Sequence, residues 1–321
     1  MSGPIGLLVM AYGTASGPHD IERYYTDIRG GHSPSPEQLR ELRDRYASIG
    51  NRFPLLETTT KQAEGLAAAL SAQGGDEFRA YLGMKHSPPF IPEGVVRMHE
   101  DGIERAVGIV MAPHWSGMSV ETYVERVLQA VDDDGGGPTF TFVRSWHDHP
   151  AFVRFLASRV EDALAELEPS QRAGVAVIFS AHSLPVRTAH DGSLRCLRCD
   201  CDASCRYRDG LRETADLVAE KLDLEDYTIA WQSAGRTADP WWGPPIEEVI
   251  LHLAAAGHPA VVVCSAGFVA DHLETLYDLD IQAKTIAQEA GVTFVRTEMP
   301  NDDPRFVAAL AAVVRDHLVG A

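Results

Sequence analysis

Short apolar runs alternate with longer amphipathic stretches along the chain. The apolar runs are rich in β-branched residues and are predicted to be strands: 5–10, 78–82, 107–111, 175–179, 227–231, 260–263 and 293–295. The amphipathic stretches are predicted to be helices: 36–49, 58–72, 120–130, 151–167, 210–222, 245–256 and 304–318. Strands separated by helices indicate an α/β protein whose parallel sheets are covered by helices on both faces.

A break near residue 150 divides the strands into two similar sets. We therefore expect an N-terminal α/β domain over 1–150 and a C-terminal α/β domain over 151–321, with a cleft between their sheets. The C-terminal helix is expected to pack back onto the first domain.

Composition and charge narrow the class of protein. Hydrophobic residues make up 45% of the chain, and 28 basic residues against 46 acidic ones give a net charge of −18. Such a surface repels nucleic acid and anionic lipid. The N-terminal segment lacks a basic n-region, and no apolar run approaches the ~18 residues of a membrane span. A cytoplasmic monomer is the expectation.

Polar side chains follow the predicted strands at the point where each strand ends. These residues are Tyr12, Lys85 with His86, His114, His182 and Trp231. Ligands of open α/β sheets bind outside the carboxyl ends of the strands. The cleft is therefore expected to be lined by Tyr12, His86, His114, His182, Trp231 and Glu274, which lies on the helix after the strand at 260–263. The chain has neither a GxGxxG nor a GxSxG motif, which argues against dinucleotide binding and a hydrolase nucleophile elbow.

The stretch 266–282 follows a predicted strand and indicates a helix with acidic residues on one face. Glu274, Asp278 and Gln282 are spaced four residues apart, and Asp271 is a plausible N-cap. Two interpretations stay open from these residues alone. The carboxylates either bind a cation or pass protons, or they favour the first turn of an ordinary helix through capping and the helix dipole.

Four of the five cysteines lie close together in the segment 194–206, with the spacing C-x2-C-x-C-x3-C. They are Cys196, Cys199, Cys201 and Cys205. In a reducing compartment such a cluster favours a metal centre over disulfides. The fifth, Cys264, lies in an apolar run and is predicted to be a core residue.

Four motifs in order resemble those of the ferrochelatase family. They are GLLVMAYGT at 6–14, SAHSLP at 180–185, WQS with DPW at 231–241, and GFVADHLE at 267–274. The resemblance covers nearly the whole chain and is greatest to the soluble bacterial branch that uses coproporphyrin III, where a tyrosine occupies the position of Tyr12. It implies two similar Rossmann-like domains of the chelatase type, with the active site between them.

The resemblance also implies a reaction, the insertion of Fe²⁺ into coproporphyrin III in haem biosynthesis. His182 and Glu274 are then the catalytic residues and iron ligands. A neutral imidazole can accept a pyrrole proton or bind iron at neutral pH. Glu274 would face it across the cleft, and a deprotonated or polarised Tyr12 phenol would bind the metal from the other side.

Further roles follow from the same resemblance. Trp231 and the loop 111–118 would form an apolar wall for the macrocycle, and Asp278 with Arg45 an outer metal site. The expected substrate-binding residues are Tyr12, Arg29, Lys85, His86, Trp115, Tyr123, Trp231 and Ser233. This chain departs from the family where Gln282 replaces a glutamate of the outer site, Gly30 replaces an arginine and Phe53 replaces a serine.

The cysteine insert is the largest departure from the simplest family members. Because some ferrochelatases carry a [2Fe–2S] cluster, the four cysteines are predicted to hold one, with structural zinc as the alternative. Iron insertion transfers no electron, so the centre would be structural or a redox sensor.

Three alternative functions also fit the residues. The chain could be a non-catalytic porphyrin or haem carrier, a chelatase for protoporphyrin IX or another tetrapyrrole, or an α/β binding protein with an iron–sulfur sensor.

Overall fold

The computed structural model of the chain describes residues 3–72, 74–190, 192–199, 205–235 and 237–320. The strands are β1 (Ile5–Ala11), β2 (Phe78–Met84), β3 (Arg105–Val110), β4 (Thr139–Val143), β5 (Ala176–His182), β6 (Val186–Thr188), β7 (Leu194–Cys196), β8 (Tyr227–Gln232), β9 (Ala260–Cys264) and β10 (Thr293–Arg296). The helices are α1 (Ile21–Ile28), α2 (Pro36–Ser48), α3 (Leu55–Ser71), α4 (Ile91–Glu100), α5 (Val120–Asp133), α6 (Pro150–Ala165), α7 (Pro169–Arg172), α8 (Arg206–Leu222), α9 (Ile246–Ala255), α10 (Lys284–Glu289) and α11 (Pro304–Gly320). A 3₁₀ turn covers Pro18–Asp20, and a π-helix covers Glu274–Ala283.

Two four-stranded sheets form the framework. Their strand orders are β2-β1-β3-β4 and β10-β9-β5-β8, and all neighbouring strands within them run parallel. The central strands β1 and β9 are buried along their whole length, because helices cover both faces of each sheet. The predicted α/β fold with two parallel sheets is confirmed. None of the helices in the described ranges combines the length and apolar character of a membrane span.

The hydrophobic pattern missed helices α1 and α4, and the strands that it missed lie at a sheet edge or in short segments. Strand β4 has only five residues, alternates threonine with phenylalanine and closes one edge of the first sheet. The antiparallel pair β6-β7 is a three-residue ladder, in which Val186 faces Cys196 and Thr188 faces Leu194. Segments this short carry too few apolar positions for a period to be recognised.

The C-terminal helix joins the two halves. Helix α11 packs against α3, which covers the first sheet, and against α6. Phe306 of α11 is fully buried in an aromatic cluster with Trp146, Phe152 and Phe155. The side-chain amide of Gln62 on α3 donates to the carbonyls of both Val269, at 2.9 Å, and Asn301, at 2.7 Å. Apolar packing and buried hydrogen bonds together fix the halves relative to each other.

We expect Phe306→Ala to reduce the free energy of unfolding by about 3–5 kcal/mol, because it removes a fully buried ring from this cluster. Val319→Ala on the same helix is the matched control, since Val319 is 89% exposed. Denaturant unfolding of both variants measures the difference. A loss below about 1 kcal/mol for Phe306→Ala would show that α11 does not hold the halves together.

Candidate active site between the two sheets

The carboxyl ends of β5 and β9 bring an imidazole and a carboxylate together. His182 is the last residue of β5, and Glu274 begins the π-helix that follows β9. Since β5 and β9 are parallel neighbours, both side chains project from the same edge of the sheet. His182 Nε2 lies 3.5 Å from Glu274 Oε1, and about one third of each side chain is exposed. His182 and Glu274 are therefore neighbours at one edge of the second sheet, rather than groups that face each other across the cleft as predicted.

A close backbone approach sets this separation. A Cβ atom on Gly267 would lie 2.5 Å from the Cβ of Ala181 and 2.8 Å from its Cα. Only glycine lets the loop after β9 lie this close to the end of β5. The residues that follow Ala181 and Gly267 carry His182 and the segment leading to Glu274, so this contact holds the two strand ends in register.

Hydrogen bonds fix the orientation of both groups. His182 Nδ1 donates to the carbonyl of Ser183, and because a carbonyl can only accept, Nδ1 carries a proton. The atom that gains and loses a proton is then Nε2, which faces Glu274. The buried amide of Gln232 donates to the backbone carbonyl of Glu274 at 3.1 Å and accepts from Ser180 at 2.8 Å.

Each member of the pair favours the charged form of the other. Burial by itself would lower the pKa of His182, but the Glu274 carboxylate and the Ser183 carbonyl raise it above the ordinary histidine value. Burial would likewise raise the pKa of Glu274, but the His182 imidazole lowers it. The carboxylate therefore stabilises the imidazolium that forms when His182 takes up a proton at Nε2.

Three side chains from the first half form a second group. Tyr12 follows β1 and is 43% exposed, and its ring centroid lies 4.6 Å from that of His86. His86 Nδ1 is 2.7 Å from an oxygen of Asp27 on α1. Burial, Glu274 and Asp27 raise the pKa of the Tyr12 phenol well above its ordinary value. The phenol is therefore neutral here, and its predicted deprotonation requires the positive charge of a bound cation.

Asp278 lies one turn beyond Glu274 and is almost completely buried. One of its oxygens accepts from Arg45 Nη2 at 3.1 Å, and the other accepts from the Ser233 hydroxyl. Burial raises the pKa of Asp278 to about 6, despite the opposing effect of Arg45. A metal bound at the predicted outer site would have to displace these partners. Gln282, the third residue of the predicted row, is exposed.

The helix that carries the carboxylates differs from the predicted one. It begins at Glu274 rather than Asp271, and its hydrogen bonds have π-helical spacing. The prediction of Asp271 as N-cap is wrong, since its carboxylate accepts from Asn301 at 2.9 Å and Arg296 at 3.3 Å. A π-helix is rare and often lies at functional sites. Residues four apart still lie near one face, so the pattern could not separate it from an α-helix.

Two predicted substrate-binding residues meet at the end of β2. The Lys85 ammonium donates to Thr122 at 2.7 Å and lies 5.1 Å from the centre of the Tyr123 ring. Burial, together with the nearby positive charges of Arg126 and Arg198, lowers the pKa of Lys85 to about 8. A cationic side chain in such surroundings favours an anionic partner.

Trp231, His114 and Tyr123 were expected to line the cleft or bind substrate, but all three are buried, Tyr123 with 3% of its surface exposed. Trp231 is only 1% exposed and packs between Tyr207 and Trp242, with ring centroids 5.5 and 6.0 Å away. Both faces of its indole are covered by these neighbouring rings, so it has no free face on which a macrocycle could stack. His114 is buried as well, and its Nε2 lies 2.9 Å from the hydroxyl of Thr214. The hydrophobic pattern near a strand end does not show whether a side chain points into the cleft or into the core, because helices cover both faces of the sheet.

The remaining predicted residues lie around the cleft. Trp115 donates from Nε1 to Glu121 at 3.2 Å, and the Arg206 guanidinium lies 4.4 Å from the centre of its ring. Arg29 is exposed just after α1 and donates to the carbonyl of His32 at 3.3 Å. Both keep polar or aromatic surface that a ligand can reach.

Sequence reasoning missed several neighbours of these residues. Phe268 and Trp241 each lie with a ring centroid 6.4 Å from that of His182, and both belong to the family motifs, so the motifs could have identified them. Asp27 and Arg126 lie on helices, and no spacing pattern distinguishes them from other surface charges. Only their packing against His86 and Lys85 identifies them.

The cysteine segment places soft donor atoms together under the β6-β7 pair. Cys196, Cys199 and Cys205 are buried. Cys199 forms a disulfide, whereas Cys196 and Cys205 are free thiols with sulfur atoms 3.2 Å apart. The Trp242 indole N–H donates to the Cys196 sulfur at 3.3 Å. Cys201 lies outside the described residues. Adjacent buried sulfurs with an N–H donor fit a thiolate-bound metal centre.

The ferrochelatase family profile matches residues 4–318. This chain belongs to the ferrochelatase family. It is 45% identical over 316 residues to the coproporphyrin III ferrochelatase of Anoxybacillus flavithermus, covering 98% of this chain and 96% of the relative. The Bacillus subtilis protein of the same name is 44% identical over 312 residues, covering 97% and 96%. That of Listeria monocytogenes strain EGD-e is 41% identical over 316 residues, covering 98% of both.

Solved chelatase structures have the same fold. SirB from Bacillus subtilis with Fe³⁺ superposes with a TM-score of 0.58 at 9% identity, covering 98% of this chain and 95% of that one. The cobalt complex of the sirohydrochlorin chelatase SirB from subspecies spizizenii gives a TM-score of 0.56 at 9% identity, covering 98% and 94%. At this identity the likeness establishes the shared architecture alone.

The electrostatics of this ferrochelatase-family site predict a titration. We expect the pKa of His182 to lie above its ordinary value of 6.5, and to fall in Glu274→Gln, where burial is left as the main influence. NMR titration of the histidine ring protons measures both values, with His182→Asn used to assign the signal. The same pKa in the wild type and in Glu274→Gln would show that the carboxylate does not act on the imidazole.

Proposed function

We propose that this protein inserts Fe²⁺ into coproporphyrin III. The observation that carries the proposal is the His182–Glu274 pair, 3.5 Å apart and one-third exposed at the edge of the second sheet. Membership of the ferrochelatase family and the names of its relatives support the same substrate. A location in the cytoplasm is part of this proposal.

The pair has the chemistry that the reaction needs. Metallation replaces two pyrrole N–H protons by one divalent cation, so charge is conserved when both protons leave the cleft. Neutral His182 accepts a proton at Nε2, the atom that faces Glu274, and the carboxylate stabilises the imidazolium that forms. Asp278 lies behind Glu274, and its pKa of about 6 allows it to exchange protons near neutral pH. Tyr12 and His86 provide oxygen and nitrogen atoms from the first half.

The cysteine segment forms the second part of the proposal. We propose that Cys196, Cys199, Cys201 and Cys205 hold a [2Fe–2S] cluster, with structural zinc as the alternative. The buried sulfurs of Cys196 and Cys205 and the indole N–H on Cys196 support a thiolate centre of either kind. Such a centre would tie β7 to the start of α8.

An insertion assay tests the reaction. We expect the protein to metallate coproporphyrin III faster than protoporphyrin IX, with loss of porphyrin fluorescence as the readout. His182→Ala should abolish insertion while coproporphyrin still quenches on binding, because the variant removes only the proton acceptor. His252→Ala, on the exposed face of α9, is the control. Turnover retained by His182→Ala would remove the imidazole from the mechanism, and binding without turnover by the wild type would indicate a carrier.

Metal analysis and spectroscopy test the cysteine centre. Anaerobically purified protein should contain two iron atoms and inorganic sulfide per chain, and dithionite should produce the electron paramagnetic resonance signal of a reduced cluster. Cys196→Ser should lose the signal, whereas Cys264→Ala should keep it because Cys264 lies in β9. A colourless protein with one zinc per chain would support the alternative.

A further inference from the structure

A small pocket lies beside the active-site cleft at the carboxyl end of β2. Its volume is about 360 Å³, and it is lined by Lys85, Met118, Thr122, Glu125, Arg126 and Arg198. Five of these residues come from the first half of the chain, as does the loop that leads into α5. Arg198 belongs to the cysteine insert, so a segment far away in the sequence completes the wall.

The backbone around Arg198 is held against the first half. A Cβ atom on Gly117 would lie 2.1 Å from the carbonyl oxygen of Arg198, so the insert touches the loop before α5 with no room for a side chain. On the opposite flank, Arg187 Nη2 donates to the carbonyl of Cys199 at 3.3 Å. The amide of Leu197 donates to the carbonyl of Pro185 at 3.1 Å. These contacts fix the position of the Arg198 backbone relative to the loop before α5.

The pocket concentrates positive charge in an acidic protein. Lys85 donates to the Thr122 hydroxyl and Arg126 donates to the carbonyl of Lys85, so both bind neutral acceptors. Within the described part of the chain, none of Lys85, Arg126 and Arg198 forms an ion pair with a carboxylate. Glu125 also lines the pocket and opposes the lowering of the Lys85 pKa, but three cations against one carboxylate leave the lining with a net positive charge in a chain whose net charge is −18. Mutual repulsion of this kind is relieved by binding an anion.

The same charges act on residues of the cleft. Arg126 opposes the rise in the pKa of Tyr12 that burial and nearby carboxylates cause, and it contributes to the lowered pKa of His86, of which burial is the main cause. The pocket therefore adjoins the side of the cleft formed by Tyr12 and His86. A flat ligand centred near His182 and Glu274 would extend its substituents toward this rim.

We propose that Arg198 is a substrate-binding residue of the cysteine insert, which together with Lys85 and Arg126 binds a carboxylate substituent of the tetrapyrrole. The inference rests on the proposed function, because it takes a polycarboxylate porphyrin as the ligand. Guanidinium and ammonium groups form charge-assisted hydrogen bonds with carboxylates, and a planar guanidinium can bind both oxygens at once. The insert then contributes to substrate affinity as well as holding a metal.

Equilibrium binding of coproporphyrin III, followed by quenching of its fluorescence, tests this inference without turnover. We expect Arg198→Ala to raise the dissociation constant about tenfold, equivalent to about 1.4 kcal/mol. Arg198→Glu should raise it further, and Arg198→Lys should recover part of the affinity. The difference between Arg198→Ala and wild type should shrink at high ionic strength, where exposed charges are screened. Protoporphyrin IX, which has fewer carboxylates, should lose less affinity.

Arg212→Ala is the matched control, because it removes one exposed positive charge from α8 outside the pocket. Metal content and thermal unfolding of every variant show whether the insert stays folded. The inference is overturned if folded Arg198→Ala and Arg198→Glu bind coproporphyrin within twofold of wild type, or if Arg212→Ala loses as much affinity as Arg198→Ala. Failure of the proposed function has a separate signature, since wild type would then bind the porphyrin without inserting iron.

Discussion

The structure depends on the close contact between two parallel strand ends in the second half. Gly267 lies directly on Ala181, and this approach puts His182 of β5 beside Glu274 of the segment after β9. The rest of the fold supports that arrangement. Helices on both faces keep β5 and β9 buried, and the amide of Gln232 holds the backbone of Glu274 from the next strand. A side chain on Gly267 would separate the two groups, and neither alone provides a proton acceptor paired with a carboxylate.

The charges around the cleft suit a ligand that has carboxylates at its periphery and a divalent cation at its centre. The centre of the cleft carries the Glu274 carboxylate, with buried Asp278 behind it. The rim carries Lys85, Arg126 and the exposed Arg198 of the cysteine insert. Carboxylates at the periphery of a macrocycle match the rim, and a divalent cation matches the centre. The net charge of −18 repels other polyanions, so the binding role proposed for this rim would add selectivity as well as affinity.

The cysteine insert connects two roles that the linear sequence keeps apart. Its β7 strand holds Cys196 close to Cys205 at the start of α8, and the backbone of Arg198 contacts the loop before α5. A change at the sulfur atoms that moves this backbone also moves Arg198 at the rim of the cleft. If the cysteines hold the proposed metal centre, this connection gives it a route to substrate affinity.

The sequence by itself determined the α/β class, the positions of most strands along the chain and the motifs that contain His182 and Glu274. Apolar runs at β1, β5 and β9 have to be buried, and short motifs stay together in the chain. Tertiary structure alone decided what the side chains contact. It placed Trp231 and His114 in the core, paired His86 with Asp27, and brought Arg198 across to Lys85. Periodicity describes one element at a time, whereas these contacts join elements far apart in the chain, so no local pattern records them.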